Sequence, residues 1–147
     1  MITTAELHRK AAGEELRFDQ AEKDYLILLI LSALSQILGR KTQWFFKGGT
    51  CLRHCYYPGY RFSEDIDFSC TGPGNDVRQA LDVRMQVGEA VTETTGIMTR
   101  CKKPRADKEN AQIEIAIEYS RGGSRRQSLP AVKVHFSFEE PLLTSPE

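Results

Sequence analysis

The chain has 147 residues, 40% of them hydrophobic and 27% charged, which suits one soluble domain with a real core. Its formal net charge is zero, so no overall field draws it to nucleic acid, and any polyanion contact rests on local basic clusters. Residues 1–10 are polar and the longest apolar run, 25–31, is too short to cross a bilayer, so no signal peptide or membrane contact is expected and the protein is read as cytoplasmic.

Residues 4–15 are predicted as a short helix weakened by Gly13. Asp19 and Glu22 have the spacing of a capping box and open a long helix. Tyr25, Leu28, Leu29, Ser32, Leu34, Ile37 and Leu38 cover much of that helix, which should be well buried and end near Gly39. A strand at 43–46 leads into the Gly48-Gly49 turn, a brief helix at 50–57 stopped by Pro58-Gly59, and a strand at 65–70. Asn75 is placed to cap a helix through Val77, Leu81, Met85, Val87 and Val91 to about Thr95. A strand at 97–101 and a charged loop at 102–109 follow.

The last two segments alternate cleanly. Ile113, Ile115, Ile117 and Tyr119 share one face against Gln112, Glu114 and Glu118, and Val132, Val134, Phe136 and Phe138 share another against Lys133, His135 and Ser137. An antiparallel hairpin of strands 111–120 and 129–138 is the natural pairing. The predicted fold class is α/β (α+β), a small mixed sheet flanked by helices. The cysteines Cys51, Cys55, Cys70 and Cys101 form no paired framework and are read as reduced thiols. Cys51, His54 and Cys55 supply half of a zinc site, but no second ligand pair follows at the right spacing, so they are read as small residues on a buried helix.

Chemistry concentrates at two motifs. In Asp65-Ile66-Asp67 the strand period of two projects both carboxylates from one face while Ile66 and Phe68 enter the core. Paired carboxylates repel, and a hard cation such as magnesium or manganese relieves this, with phosphates completing its shell. A bare D-x-D is weak evidence, because an exposed strand edge with two solvated acids looks the same. The second motif strengthens it. Phe45-Phe46-Lys47-Gly48-Gly49-Thr50 runs from strand to Gly-Gly turn to helix, where backbone can approach a phosphate, the Thr50 hydroxyl can donate and Lys47 can add charge. A phosphate turn followed by a metal pair on a neighbouring strand is what transfer of a nucleotidyl group requires.

Lys47-Gly48-Gly49-Thr50-x-Leu52 together with Arg61-Phe62-Ser63-Glu64-Asp65-Ile66-Asp67-Phe68 resembles the signature of the AbiEii/AbiGii toxin family. These are nucleotidyltransferase-like proteins of the DNA polymerase β superfamily, found in abortive-infection and toxin–antitoxin systems. The likeness extends less sharply from Glu22-Lys23-Asp24-Tyr25 to the Phe136–Leu142 region. It implies a nucleotidyltransferase fold, triphosphate held by Gly48, Gly49 and Thr50, and metal held by Asp65 and Asp67. It further implies a nucleoside triphosphate substrate, an acceptor such as tRNA and a separate antitoxin partner. Arg61 and Ser63 belong to the same signature and either brace the loop or touch phosphate. Of the later lysines, Lys108 and Lys133 both fit the one that assists the nucleotide.

Two departures from the family pattern stand out. The superfamily's third carboxylate falls at a position occupied here by His135, which is either a general base or a solvent-facing strand residue. Strand parity offers Glu114 as a replacement acid if its face meets Asp65 and Asp67, whereas Glu118 reads as part of a surface Glu–Lys pair. Family chains also continue into a helical portion, whereas this sequence is read as a single core, residues 1–147. The basic clusters Arg100, Lys102, Lys103, Arg105 and Lys108, and Arg121, Arg125 and Arg126, suit either RNA phosphates or a solvated face. Beside the enzyme stand two other readings: an inactive nucleotide-binding or interaction module of the same fold, favoured by His135, and a purely structural domain.

Overall fold

The computed structural model describes residues 2–39, 43–71, 77–107, 111–122 and 128–138, apart from the side chains of 77 and 78. Alternation sets the sheet. Strands β1 (Trp44–Lys47), β2 (Asp65–Cys70), β3 (Met98–Cys101), β4 (Arg105–Asp107), β5 (Gln112–Ser120) and β6 (Ala131–Ser137) join in the order β1-β2-β6-β5-β3, with β4 also on β5. The β2–β6 pair is parallel and the other pairings are antiparallel, so the sheet is mixed as expected. Ile66, Phe68, Ile113, Ile115, Ile117, Tyr119, Val132, Val134 and Phe136 lie within one core cluster. Phe68 stacks on Phe136 at 5.8 Å, and Trp44 reaches the same ring at 4.9 Å.

Helices α1 (Thr4–Gly13), α2 (Phe18–Leu38), α3 (Gly48–Cys51) and α4 (Val77–Thr95) complete the described elements, α3 running on into a π-helical turn at Leu52–Tyr56. The apolar residues of α2 and α4 join those of the sheet in the core, leaving the opposite sheet face polar. Gly88 lets α4 approach β3: a Cβ there would stand 3.1 Å from Thr99 Oγ1, whose hydroxyl donates to the Gly88 carbonyl at 2.9 Å.

Several expectations need correcting. The box at the start of α2 uses Gln20, whose side chain accepts from the Arg17 amide at 3.0 Å, while Asp19 pairs with Arg17 at 3.1 Å. The α2 side chains that reach the core interior are Leu26, Ile27, Ile30, Ala33 and Leu34, whereas Leu28 is exposed. This helix is apolar around most of its circumference, so sequence periodicity does not fix its phase. In α4 the buried line is Ala80, Val83, Val87 and Val91, and Met85 faces out. The stretch read as a charged loop contains β4, and the Lys102 amide continues the pairing to Ala116 O at 2.9 Å. Glu118 is not a surface residue: it is 3% exposed and bound by Arg100 at 2.7 Å and Lys102 at 2.8 Å. Cys51 is buried but Cys55 is exposed, and His54 Nε2 lies 3.0 Å from Asp24. Asn75, Lys108, Arg125 and Arg126 fall outside the described residues.

Candidate active site

The Gly-Gly turn is shaped by its neighbours. Gly48 has φ +77°, and a Cβ there would stand 2.3 Å from Asp67 Oδ2. At Gly49 a Cβ would stand 3.0 Å from Ser63 Oγ and 3.7 Å from an Arg61 guanidinium nitrogen. Glycine is therefore required at 48 both by backbone conformation and by the Asp67 carboxylate pressed against the turn. The Thr50 side chain is buried, and its hydroxyl donates to the Asp65 carbonyl. That bond locks the first turn of α3 onto the start of β2, 15 residues on.

Registry then assembles a polar row. Lys47 on β1 pairs with Asp67 on β2, Asp67 with His135 on β6, and His135 with Glu114 on β5. One step along, Asp65 pairs with Lys133. Residues facing each other across such pairs share a side of the sheet, so these groups meet on the face opposite the core. His135 Nδ1 lies 3.1 Å from Asp67 Oδ1 and its Nε2 lies 3.3 Å from Glu114 Oε2, while Lys133 Nζ reaches the same Glu114 oxygen at 3.1 Å. His135 is thus not a bare solvent-facing residue: it bridges two acids. Glu114 meets Asp67 through that imidazole.

The electrostatics follow from these contacts. The bond to Asp67 raises the His135 pKa above its ordinary value against the opposing effect of burial, and Glu114 and Asp65 add to it. At Glu114 partial burial works to raise the pKa, but Lys133 and His135 prevail and lower it. Both groups are held towards their charged forms.

Asp65, Asp67, Gly49, Arg61, Ser63 and Lys133 line one cleft of about 670 Å³. Lys47, Gly48, His135 and Glu114 join it through the turn and the polar row. The cleft also takes residues that the sequence reading missed, above all Gln20 and Lys23 from α2. Lys23 Nζ lies 2.5 Å from Glu64, on the cleft's rim. No local pattern could have signalled this contact, because 41 residues separate the pair. Among the described residues of the basic clusters, Arg100 and Lys102 bind Glu118, and Arg121 donates to the Ile2 carbonyl at 2.5 Å.

Among the described residues, no group of three or more His, Cys, Asp or Glu side chains converges in metal-holding geometry. The available donor set is the Asp65–Asp67 pair on one strand face, with Asp67 packed directly against Gly48. Two carboxylates of this kind fit a hard divalent ion that takes its remaining ligands from phosphate and water.

A mixed sheet with helices on its apolar face and paired acids opposite a Gly-Gly turn defines the nucleotidyltransferase fold. Two solved structures share it: a "putative nucleotidyltransferase from H. pylori" (TM-score 0.58, 21% identity) and JHP933 from Helicobacter pylori (TM-score 0.57, 21% identity). Each match covers 85% of this chain and 48% or 47% of the other, so the chain spans about half the length of the structures it matches. The family model described as nucleotidyl transferase AbiEii toxin, type IV TA system, matches residues 30–147, and the chain belongs to that family. No curated protein matches it.

Proposed function

We propose that the cleft binds the polyphosphate of a nucleoside triphosphate and transfers the nucleoside monophosphate to an acceptor hydroxyl. The observation that carries this reading is the contact of the two motifs, with Gly48 packed against Asp67 and Gly49 against Ser63. Gly48, Gly49 and Arg61 supply close backbone and a cation for the terminal phosphates, and Lys133 and Lys23 flank them. Thr50 acts from beneath, fixing the turn to β2 through its buried hydroxyl. Asp65 and Asp67 would hold magnesium or manganese, which when bound polarises phosphate and offsets developing charge. Lys47 adds positive charge at the row's end.

His135 holds the Asp67 carboxylate in place from one side and is itself held by Glu114. Held towards its charged form, it offsets part of the charge of the two acids, and a neutral imidazole is needed before it can take a proton from the acceptor. This feature favours a second reading, a nucleotide-binding module of the same fold without transfer activity.

The family's toxin–antitoxin setting supports a growth-inhibiting cytoplasmic enzyme with a cognate antitoxin as partner and RNA, including tRNA, as acceptor. No described helix is long and apolar enough to cross a membrane. Incubation with each labelled triphosphate, magnesium and total RNA tests the proposal. Wild type should transfer label, and Asp65→Ala/Asp67→Ala should reduce it at least about a hundredfold. Labelling that survives the double substitution refutes the assignment, and nucleotide binding without transfer selects the inactive module.

A further inference from the structure

Asp24 has no solvent exposure, although it sits on the most apolar helix of the chain. Lys10 Nζ lies 2.9 Å from its Oδ2, His54 Nε2 3.0 Å from its Oδ1, and Arg53 Nε 3.5 Å from the same oxygen. Glu14 closes the cluster by pairing with Lys10 at 2.5 Å and with Arg53. Burial disfavours the Lys10 charge, yet Glu14 and Asp24 raise its pKa above the ordinary value. Of this cluster Asp24 alone is fully buried, and a buried acid held by cations is a poor device for stability alone, since an apolar residue of the same volume commonly serves as well.

Its geometry points to another use. Arg53 lies in the π-helical turn that continues α3 out of the Gly-Gly turn, and its Nη1 donates to the Tyr60 carbonyl at 2.6 Å. Tyr60 immediately precedes Arg61, and Arg61 and Ser63 are the residues that rest on Gly49. One guanidinium therefore joins the helix leaving the phosphate turn to the loop that covers it. Asp24 faces that guanidinium from α2 as an ion pair without a hydrogen bond, and the preceding residue, Lys23, pairs with Glu64 at the far end of the same loop. The family match begins at residue 30, so Lys10, Glu14 and Asp24 lie ahead of it.

We infer that Asp24 and Arg53 are positioning residues that hold the 57–64 loop so that Arg61 and Ser63 stay seated on the Gly48-Gly49 turn for polyphosphate binding. The inference rests on reading the cleft as a polyphosphate site. Its test is calorimetric titration of the full chain with magnesium tripolyphosphate, a probe lacking a base. Arg53→Lys keeps a cation beside Asp24 but cannot span both Asp24 and the Tyr60 carbonyl, and Asp24→Asn removes the anchor's charge. Both should bind the probe about tenfold more weakly or worse. Glu118→Gln, which loosens β3 from β5 on the same polar face but towards the β3 edge of the sheet and away from the 57–64 loop, should bind as wild type does. Hydrogen exchange should show amides 60–64 losing protection in Arg53→Lys while those of β5 and β6 keep theirs.

A folded Arg53→Lys that binds within about twofold of wild type overturns the inference, as does equal weakening in Glu118→Gln. If Asp24→Asn fails to fold, Arg53→Lys decides alone. Failure of the underlying reading looks different: wild type does not bind the probe, or Asp65→Ala/Asp67→Ala binds it as well as wild type.

Discussion

At the scale of single residues, the Gly48-Gly49 turn and strand β2 are fitted to each other before any ligand is considered. Gly48→Ala meets two obstacles, a positive φ and an Asp67 oxygen 2.3 Å from the new Cβ. Denaturant unfolding should register a loss of about 1–3 kcal/mol, with Asp67 displaced. Gly49→Ala has no positive φ to overcome and meets the Ser63 side chain at 3.0 Å and an Arg61 nitrogen at an ordinary 3.7 Å, so it should cost less. A Gly49 variant that proved the more damaging would contradict this packing. His135→Asp tests the other side of Asp67. It places a third acid between Asp67 and Glu114, where the imidazole now bridges them. Without divalent ions the variant should melt below wild type, because like charges directly opposite each other on neighbouring strands repel. Added magnesium should raise its Tm more than it raises that of wild type, since an ion bound only by the folded state stabilises it. Equal shifts would count against metal binding at this face.

Elements differ in how openly the sequence announces them. Strands β5 and β6 carry a period-two pattern because one face is buried, and both the hairpin and its facing residues follow from that pattern. Asp65 and Asp67 were legible for the same reason, as was the glycine turn beside them. By contrast all three residues of β4 are exposed, so no buried, alternating face marks it in the sequence. Glu118 looked like a surface acid because the residues that cover it, Arg100 and Lys102, come from β3 and the segment just after it, about twenty residues earlier in the chain. Asp24 is hidden likewise, its partners coming from α1 and the turn after α3. The β3–β5 seam yields a pH test. Bonds to Lys102 and Arg100 lower the Glu118 pKa below its ordinary value near 4.5. A lowered folded pKa adds stability that is complete above the unfolded value and lost as pH falls through the folded one. Glu118→Gln should therefore be less stable than wild type by about 1 kcal/mol near neutrality, a modest figure because both cations are exposed. Urea midpoints of the two proteins should converge as pH falls from 4.5 through the lowered folded pKa, and a gap that did not narrow on acidification would remove the ionic explanation.

For the molecule as a whole, the question is whether sheet and helices form one cooperative body. Trp44 is the single tryptophan, so its fluorescence reports on one place, the β1 edge where its ring meets Phe136 and Phe68. Circular dichroism at helix wavelengths reports chiefly on α2 and α4, the two long helices. Their apolar residues share one cluster with β2, β5 and β6, which gives neither layer a separate core. The two signals should then lose native structure at the same urea concentration and with the same slope. Phe136→Ala sharpens the test. This ring is 1% exposed, lies under Trp44 and stacks on Phe68, so truncation leaves a cavity at the centre of the sheet. It should lower stability by about 3–5 kcal/mol and move both transitions together. Were fluorescence alone to shift, β1 and β2 would unfold apart from the helices, and the phosphate turn would then sit on a subunit of the fold able to open by itself.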